Sequence, residues 1–344
     1  MSAAVEAQEI NPGQAAHQEE DTSRSALDLD LLVKHGITKT DINKFKEAGF
    51  HTVMSVQMCV DKNLLAVKGI TEKKLADVKK ACAKEHGIGF ITGTEHLQQR
   101  AKVNRITTGV KDVDALLGGG IESQAITEIY GEFRTGKTQF VHTVCVTSML
   151  GKAEGGAEGK VIVIDTEGTF RSEKIKPIAE RFGVDPDDVL NNLYICKAYN
   201  SDHQHQCLKD LGALLLEDGP FSLIVVDSMT ALLRVDYVGR GELSSRQQLL
   251  GQMMSRLIKL ANEYNIGVLI TNQVMSNPDG GMTFVSDPKK AVGGHVLAHA
   301  STVRLEFKKG RGDCRICKVV DHPSMPEGEA TFQLAESGIK DAEG

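Results

Sequence analysis

A mostly parallel α/β sheet with helices on both faces, preceded by a small all-helical module, is the fold class the sequence predicts. Three observations carry this reading. Apolar runs without alternation recur at Ala125 to Tyr130, Val161 to Ile164, Leu193 to Cys196, Leu223 to Val226 and Gly267 to Ile270. Strands of that composition are buried on both faces, and crossover helices supply the cover. Stretches of helical composition, such as Glu173 to Phe182 and Gln204 to Leu216, lie between them. Finally, residues 25–86 hold apolar positions at helical spacing, with Leu75, Val78 and Ala81 on one face.

Residues 1–24 combine Gly, Pro, Gln and Ala with Glu6, Glu9, Glu19, Glu20 and Asp21, which reads as a disordered acidic tail and not as a signal or transit peptide. In the helical module, an apolar run from Leu27 to Leu32 breaks at Gly36. Thr38 or Thr40 caps a helix from Asp41 to Ala48 that Gly49 ends, and Val53 to Cys59 makes another short segment. A helix then stops at Gly69 and the next starts after Thr71. This last segment resembles a helix-hairpin-helix. Its glycine turn either presents N–H groups to a DNA phosphate or serves structure and regulation alone. A linker spans residues 87–104. Within it Phe90 is an apolar residue in a polar tether, which packs on its own domain or anchors a neighbouring subunit. The second domain covers 105–344. Its first segment, Ile106 to Leu117, reads as a helix closed by Gly118, Gly119 and Gly120. After residue 299, Ser301 to Phe307, Asp313 to Val320 and Ala330 to Leu334 read as strands with short connections, antiparallel additions at the sheet edge.

Composition narrows the function classes. A chain of 344 residues is long for one domain, and one domain plus a smaller module is the natural division. Hydrophobic residues make up 41% and charged residues 25%, as in ordinary globular proteins, and no apolar run reaches membrane-spanning length. The net charge of -6 argues against coating a phosphate backbone with the whole surface, while leaving room for local basic loops. Trp is absent, which disfavours a large stacking surface. The odd number of cysteines, scattered at 59, 82, 145, 196, 207, 314 and 317, indicates reduced thiols inside a cell. Cys314 and Cys317 have zinc-like spacing. They lie in a strand pattern, however, where residues three apart point to opposite faces. His203 and His205 lie near Cys207, but the sequence shows no second cluster beside them to complete a ligand set.

The chemistry concentrates at strand ends. Gly131-Glu132-Phe133-Arg134-Thr135-Gly136-Lys137-Thr138 matches the phosphate-binding pattern G-x-x-x-x-G-K-[ST], between a strand and a helix that runs from Gln139 to Leu150. Its glycines allow a tight turn, and backbone N–H groups then face an anion at the helix N-terminus. Lys137 supplies a mobile charge for the β and γ phosphates, and the Thr138 hydroxyl can ligate Mg²⁺. Asp227 ends another apolar strand and reaches Mg²⁺ directly or through water. Glu167, in Asp165-Thr166-Glu167-Gly168, is the candidate general base, or else a turn residue or outer-sphere acid. No Asn-Lys-x-Asp guanine-reading motif is present. Gln273 ends the last core strand and is placed to sense the γ-phosphate. An irregular loop follows it from Met275 to Lys290 and ends in Lys289 and Lys290. A second such loop, from Arg234 to Glu242, contains Arg240, and after it Ser244 to Arg246 opens a helix with a capping serine. The cations of these loops either cradle a phosphate backbone or are ordinary solvated charges.

These stretches together resemble the strand-exchange recombinases of the RecA family in eukaryotes and archaea, over about residues 27 to 341. To the motifs above are added Gln139, Asp287-Pro288-Lys289-Lys290, Leu297 to Thr302 and Lys309 to Gly312. The spellings Met282-Thr283-Phe284 and Gly293-Gly294-His295 favour the meiotic type. The resemblance implies a RecA-type P-loop ATPase core, ATP and Mg²⁺ as cofactors, and a nuclear location. It implies single- and double-stranded DNA as partners, self-association into rings or filaments, and recombination mediator proteins. By the same resemblance Arg240, Lys289 and Lys290 face DNA, Phe90 joins subunits, and His295 faces a neighbour's nucleotide. Asp321 and Pro326 belong to a cap over that nucleotide. Two departures stand out. Gly93 replaces the usual alanine after Phe90, a methyl worth about 1 kcal/mol of burial at most. Lys174 stands where Arg is common beside adenine, without the planar guanidinium. The alternative activity is that of an accessory ATPase that loads or remodels filaments without exchanging strands.

Overall fold

The computed structural model describes residues 26–276 and 289–342. The acidic tail expected over 1–24, together with Met282, Phe284 and Asp287, lies outside the described residues. Beyond a 3₁₀ turn at Leu29–His35 come α1 (Lys39–Glu47), α2 (Val53–Gln57), α3 (Asp61–Leu65) and α4 (Glu72–Glu85). Thr38, Thr52 and Thr71 cap α1, α2 and α4 by accepting a backbone N–H. Of the two threonines expected to start α1, Thr38 is the cap. Gly36, Gly49 and Gly69 hold φ of 85°, 87° and 82°, the left-handed turns that end helical segments. The helices close on their own apolar cluster, with Leu29, Phe45, Val56 and Cys82 fully or almost fully buried.

The linker is more ordered than its composition suggests. It contains α5 (Gly93–Arg100), started by a reciprocal capping box in which Thr92 accepts from Glu95 N and Glu95 accepts from Thr92 N. Arg100 and Arg105 each bond a different oxygen of Glu122, at 2.8 and 3.0 Å, and so tie the end of the linker to the core.

The core opens with β1 (Arg105–Ile106), α6 (Lys111–Leu116), β2 (Ile121–Glu122), β3 (Ile126–Gly131), α7 (Lys137–Thr147) and β4 (Lys160–Asp165). It continues through α8 (Ile175–Arg181), α9 (Pro186–Asn191), β5 (Leu193–Lys197), α10 (Ser201–Glu217), β6 (Phe221–Asp227) and α11 (Ala231–Asp236). Next are α12 (Leu243–Tyr264), β7 (Gly267–Asn272), β8 (Val274–Ser276), β9 (Lys289–Ala291) and α13 (Gly294–Ala300). The chain ends with β10 (Val303–Lys309), β11 (Cys314–Asp321), β12 (Gly328–Ala335) and β13 (Gly338–Asp341). The main sheet runs β13-β12-β11-β10-β3-β7-β6-β4-β5. Strands β10, β3, β7, β6, β4 and β5 are parallel, and β11 to β13 add antiparallel at one edge.

The apolar runs follow from two-sided burial. In β6, Leu223 and Val225 join the cluster under α7 and α8, while Ile224 and Val226 join the one under α10 and α12. Strand β4 divides in the same way, with Val161 and Val163 on one side and Ile162 and Ile164 on the other. On the far side of α12, Thr52 donates to the carboxylate of Glu263 and Arg256 Nη2 donates to Gly49 O at 3.4 Å, which seats the N-terminal helices on the core.

Three sequence expectations are corrected. The segment from Ile106 to Leu117 is helical only over Lys111–Leu116. Its first residue, Ile106, ends β1, which pairs with β2, and Asp114 folds back to accept from Thr108 N and Oγ1, both at 2.7 Å. No serine caps α12: the cap position is Glu242, which makes no side-chain cap bond. Strand β13 was not expected at all. It is short, and its Ile339 is fully buried against α7, where Ile339 N donates to Thr143 Oγ1 at 3.0 Å.

Candidate active site

Strands β3, β4, β6 and β7 bring Gly131, Asp165, Asp227 and Asn272 to one edge of the sheet, the carboxyl end where open α/β sheets hold ligands. At Gly131 a Cβ would lie 2.4 Å from Phe307 O, so the strand can pass β10 only as glycine. Gly136 has φ 92° and a Cβ there would come within 3.0 Å of Leu334 Cδ2. Between them the Thr135 hydroxyl donates to Glu132 O at 2.9 Å, and Arg134 holds φ 64°. Arg315 Nε reaches across from β11 to Arg134 O at 3.1 Å. Phe133 is exposed at the loop tip and Gln139 lies in the first turn of α7.

Lys137 Nζ donates to Gly131 O and Glu132 O, both at 2.9 Å, which folds the ammonium over the concave loop. Burial lowers its pKa, and the charges of Asp227 and Glu167 pull the other way. Thr138 Oγ1 donates to Asp227 Oδ2 at 2.9 Å, and the Thr271 hydroxyl donates to Asp227 Oδ1. Burial raises the pKa of Asp227 despite those two bonds. A carboxylate in that state is short of positive charge. With the Thr138 hydroxyl beside it, the pair is a hard oxygen donor set of the kind that Mg²⁺ takes. The glycine loop and the mobile ammonium likewise fit a phosphate chain.

Glu167 is aimed by Asp165. One Asp165 oxygen accepts from Glu167 N (3.2 Å), Gly168 N (2.7 Å) and Thr169 N (3.3 Å), and the other from Phe170 N (3.2 Å). The Ser228 hydroxyl and Gln273 Nε2 both donate to Glu167 Oε1 at 2.9 Å. Gln273 Oε1 in turn accepts from Arg234 Nη1 at 2.9 Å. A polar run therefore joins Glu167 to α11, which leads into the 237–242 loop. Gln273 also touches the other loop. Its O accepts from Val292 N at 2.9 Å, and β8 pairs with β9 in the register Met275 to Lys290 and Ser276 to Lys289. The 275–290 loop thus hangs from an antiparallel ladder that begins next to Gln273. Lys290 is exposed, and Arg240 lies in a 3₁₀ turn at Arg240–Glu242.

Sequence reasoning missed His142. Its Nδ1 bonds Thr138 O at 2.6 Å, its Nε2 accepts from Arg171 N at 3.0 Å, and its ring stacks on Phe170 with centroids 4.4 Å apart. An Nε2 that accepts fixes the neutral ring with the proton on Nδ1. Burial lowers its pKa, with the charge of Lys174 acting in the same direction. Ser228, Arg234 and Arg315 were also read only as parts of segments. Their partners lie far off in sequence, where no motif reaches.

The Rad51 family model matches residues 99–342. The chain is 50% identical over 344 residues to a meiotic recombination protein DMC1 homolog of Arabidopsis thaliana, covering 99% of both. It is 53% identical over 314 residues to the DMC1 homolog of Glycine max, covering 91% of this chain and 90% of that one. With the human DMC1/LIM15 homolog identity is 52% over 316 residues, 92% and 93% of the two chains. The chain belongs to the Rad51 family.

Not all of the expected site residues meet within one chain. Gly131 to Gln139, Glu167, Asp227 and Gln273 converge. Asp321 pairs with Arg304 and ends β11, whereas the start of β11 is the end beside the phosphate loop, and Pro326 follows in the next turn. His295 is exposed on α13 and stacks on His299 with centroids 5.7 Å apart. Phe90 is fully exposed, so the alternative that it packs on its own domain fails. Nothing lies within 4 Å of a Cβ built on Gly93, so this chain's own packing does not demand the glycine.

The histidine gives a pH prediction. A ring held neutral in the folded state contributes its full stability above its free value, about pH 6.5, and loses it as pH falls below that toward the folded value. His142→Gln should cost about 1–3 kcal/mol at neutral to alkaline pH, as a buried hydrogen-bonded group. The gap to the wild type should narrow on acidification. Urea unfolding of both proteins at about pH 8 and about pH 5.5 reads this; a gap that widens in acid would show a charged ring.

Proposed function

We propose that the chain is an ATP-dependent DNA strand-exchange recombinase, acting in the nucleus in meiotic homologous recombination. It binds single- and double-stranded DNA and assembles with further copies of itself. The observation that carries this is the run Glu167–Gln273–Arg234, with the base of the second loop bonded to the same glutamine. A hydrolytic carboxylate is thereby wired to both segments that carry the candidate DNA cations. Such wiring suits an ATPase whose nucleotide state controls its hold on a polymer.

The roles follow from position. Lys137 and the N–H groups of residues 131–139 hold the phosphates. Thr138 and Asp227 would hold Mg²⁺, which would supply positive charge against the phosphates. Glu167 holds the attacking water and accepts its proton, while Ser228 and Gln273 keep the carboxylate oriented. Arg240, Lys289 and Lys290 hold the DNA backbone. The exposed Val235 and Val238 beside Arg240 offer apolar contact to unstacked bases. Asp321 and Pro326 of a second copy cover the nucleotide, His295 faces a neighbour's site, and Phe90 inserts into that neighbour. Lys174, close to His142, lies on the adenine side. Residues 25–86, 87–104 and 105–344 serve as DNA-approaching module, tether and motor, and recombination mediators dock on the assembly.

Pairing a circular single strand with a homologous linear duplex, with and without ATP, tests the reading. Joint molecules should form only with ATP. Their absence from a preparation that hydrolyses ATP normally would sink it. Glu167→Gln should lower ATP turnover by about 100-fold or more while nucleotide still binds; normal steady-state hydrolysis would put the base elsewhere. Phe90→Glu should leave a folded chain that forms shorter oligomers by light scattering, and unchanged size would remove Phe90 from the contact.

A further inference from the structure

At the outermost strand of the same carboxyl edge, beyond β4 and Asp165, three half-buried side chains with soft ligand atoms meet between β5 and α10. Cys196 lies on β5, the edge strand of the sheet. His203 and Cys207 lie four residues apart on α10 and so share a face. Cys196 Sγ and Cys207 Sγ are 2.9 Å apart, and a ring nitrogen of His203 lies within 4.8 Å of both sulfurs. The elements that carry them are rigid. β5 pairs with β4 from Leu193 to Lys197, and Asn200 caps α10 by accepting from His203 N at 2.7 Å. The His203 ring also stacks on Tyr199, with centroids 5.8 Å apart and planes 8° from parallel, which restrains its rotation.

We propose that Cys196, His203 and Cys207 form a binding site for a thiophilic d¹⁰ cation, Zn²⁺ in the first place, with water in the fourth position. Tetrahedral zinc holds sulfur at about 2.3 Å and nitrogen at about 2.0–2.1 Å, which separates its ligand atoms by roughly 3.5–3.8 Å. The two sulfurs therefore need to part by less than about 1 Å, a small χ1 adjustment at side chains that solvent still reaches. Two thiols and Zn²⁺ give a dithiolate complex and release two protons to solvent. Because uptake releases those protons, it strengthens as pH rises. Soft sulfur also separates this site from the Asp227 and Thr138 oxygens, which suit Mg²⁺. The cluster lies at a junction. Ala198 N donates to Asp165 O at 3.0 Å, next to the turn that carries Glu167, and Ser201 N donates to Asp236 Oδ2 at 2.7 Å, at the end of α11.

The test uses the full chain, reduced and stripped of metal by chelation, with Co²⁺ as the spectroscopic probe. One equivalent should give thiolate-to-cobalt charge-transfer absorption and the visible bands of a tetrahedral site, and Zn²⁺ should displace both. Cys196→Ser and Cys207→Ser should lose the charge-transfer band. His203→Asn should weaken binding by about tenfold or more. Cys314→Ser and Cys317→Ser should leave the spectrum unchanged. The wild-type spectrum keeps the question open to refutation even where a serine variant fails to fold. Absence of the charge-transfer band in the wild type overturns the proposal, as does a band that survives in folded Cys207→Ser or is lost in Cys317→Ser. Recovery of Cys196 and Cys207 as a disulfide in place of cobalt binding overturns it as well.

Discussion

The side-chain amide of Gln273 bonds in two directions, and the two halves of the site meet there. Its nitrogen donates to Glu167 and its oxygen accepts from Arg234. An amide has one orientation that satisfies a carboxylate on one side and a guanidinium on the other. Anything that draws the nitrogen away from Glu167, as a γ-phosphate oxygen would on the proposed reading, also disturbs the bond to Arg234. Its backbone carbonyl meanwhile holds Val292, at the foot of the β8–β9 ladder. The second loop cannot be insensitive to a residue that forms its base.

This arrangement rests on the parallel sheet. Four strand ends have to be held in register for Gly131, Asp165, Asp227 and Asn272 to share an edge, and two-sided burial of alternate residues enforces that register. Buried pairs then fix the fine geometry. Arg304 Nε donates to the fully buried Glu128 at 2.7 Å, and Asn272 Nδ2 donates to the other Glu128 oxygen at 2.9 Å, so the residue before Gln273 is anchored across β3 to β10. Asn272 Nδ2 also donates to Val292 O at 2.7 Å, which ties the same anchor to the second loop.

Much of this was legible in the sequence because the signals are local. Lys137 and Thr138 lie within one eight-residue pattern, Asp227 closes a recognisable apolar strand, and the strand order of burial shows in uninterrupted β-branched runs. The start of α5 was also written locally, in Thr92 and Glu95, but a polar, glycine-containing stretch hid it. Conversely, Ser244 advertised a cap that the chain does not use, because the helix already begins at Leu243, directly after the 3₁₀ turn at Arg240–Glu242. What local reading cannot supply is pairing across the fold. Ser228 finds Glu167 61 residues away, Gln273 finds it 106 away, and Cys196 completes a cluster whose other members looked incomplete. Those contacts exist only once β7, β6, β4 and β5 lie side by side.

The same geometry explains why one chain is only part of the proposed machine. β11 is antiparallel to β10, and its first residues lie beside the phosphate loop, where Arg315 bonds Arg134 O. Its last residue, Asp321, is seven residues further, roughly 24 Å at about 3.4 Å per residue. Asp321 therefore cannot cover the nucleotide of its own chain, whereas a neighbour stacked head to tail could present it there. Heterologous contacts of that kind close into rings or extend as helices. If nucleotide binds between copies, its affinity and the tendency to assemble are linked and each strengthens the other by the same factor. Phosphate recognition by residues 131–138 then acts on the whole assembly and, on the proposed reading, Gln273 carries that occupancy to the segments that bear Arg240 and Lys290.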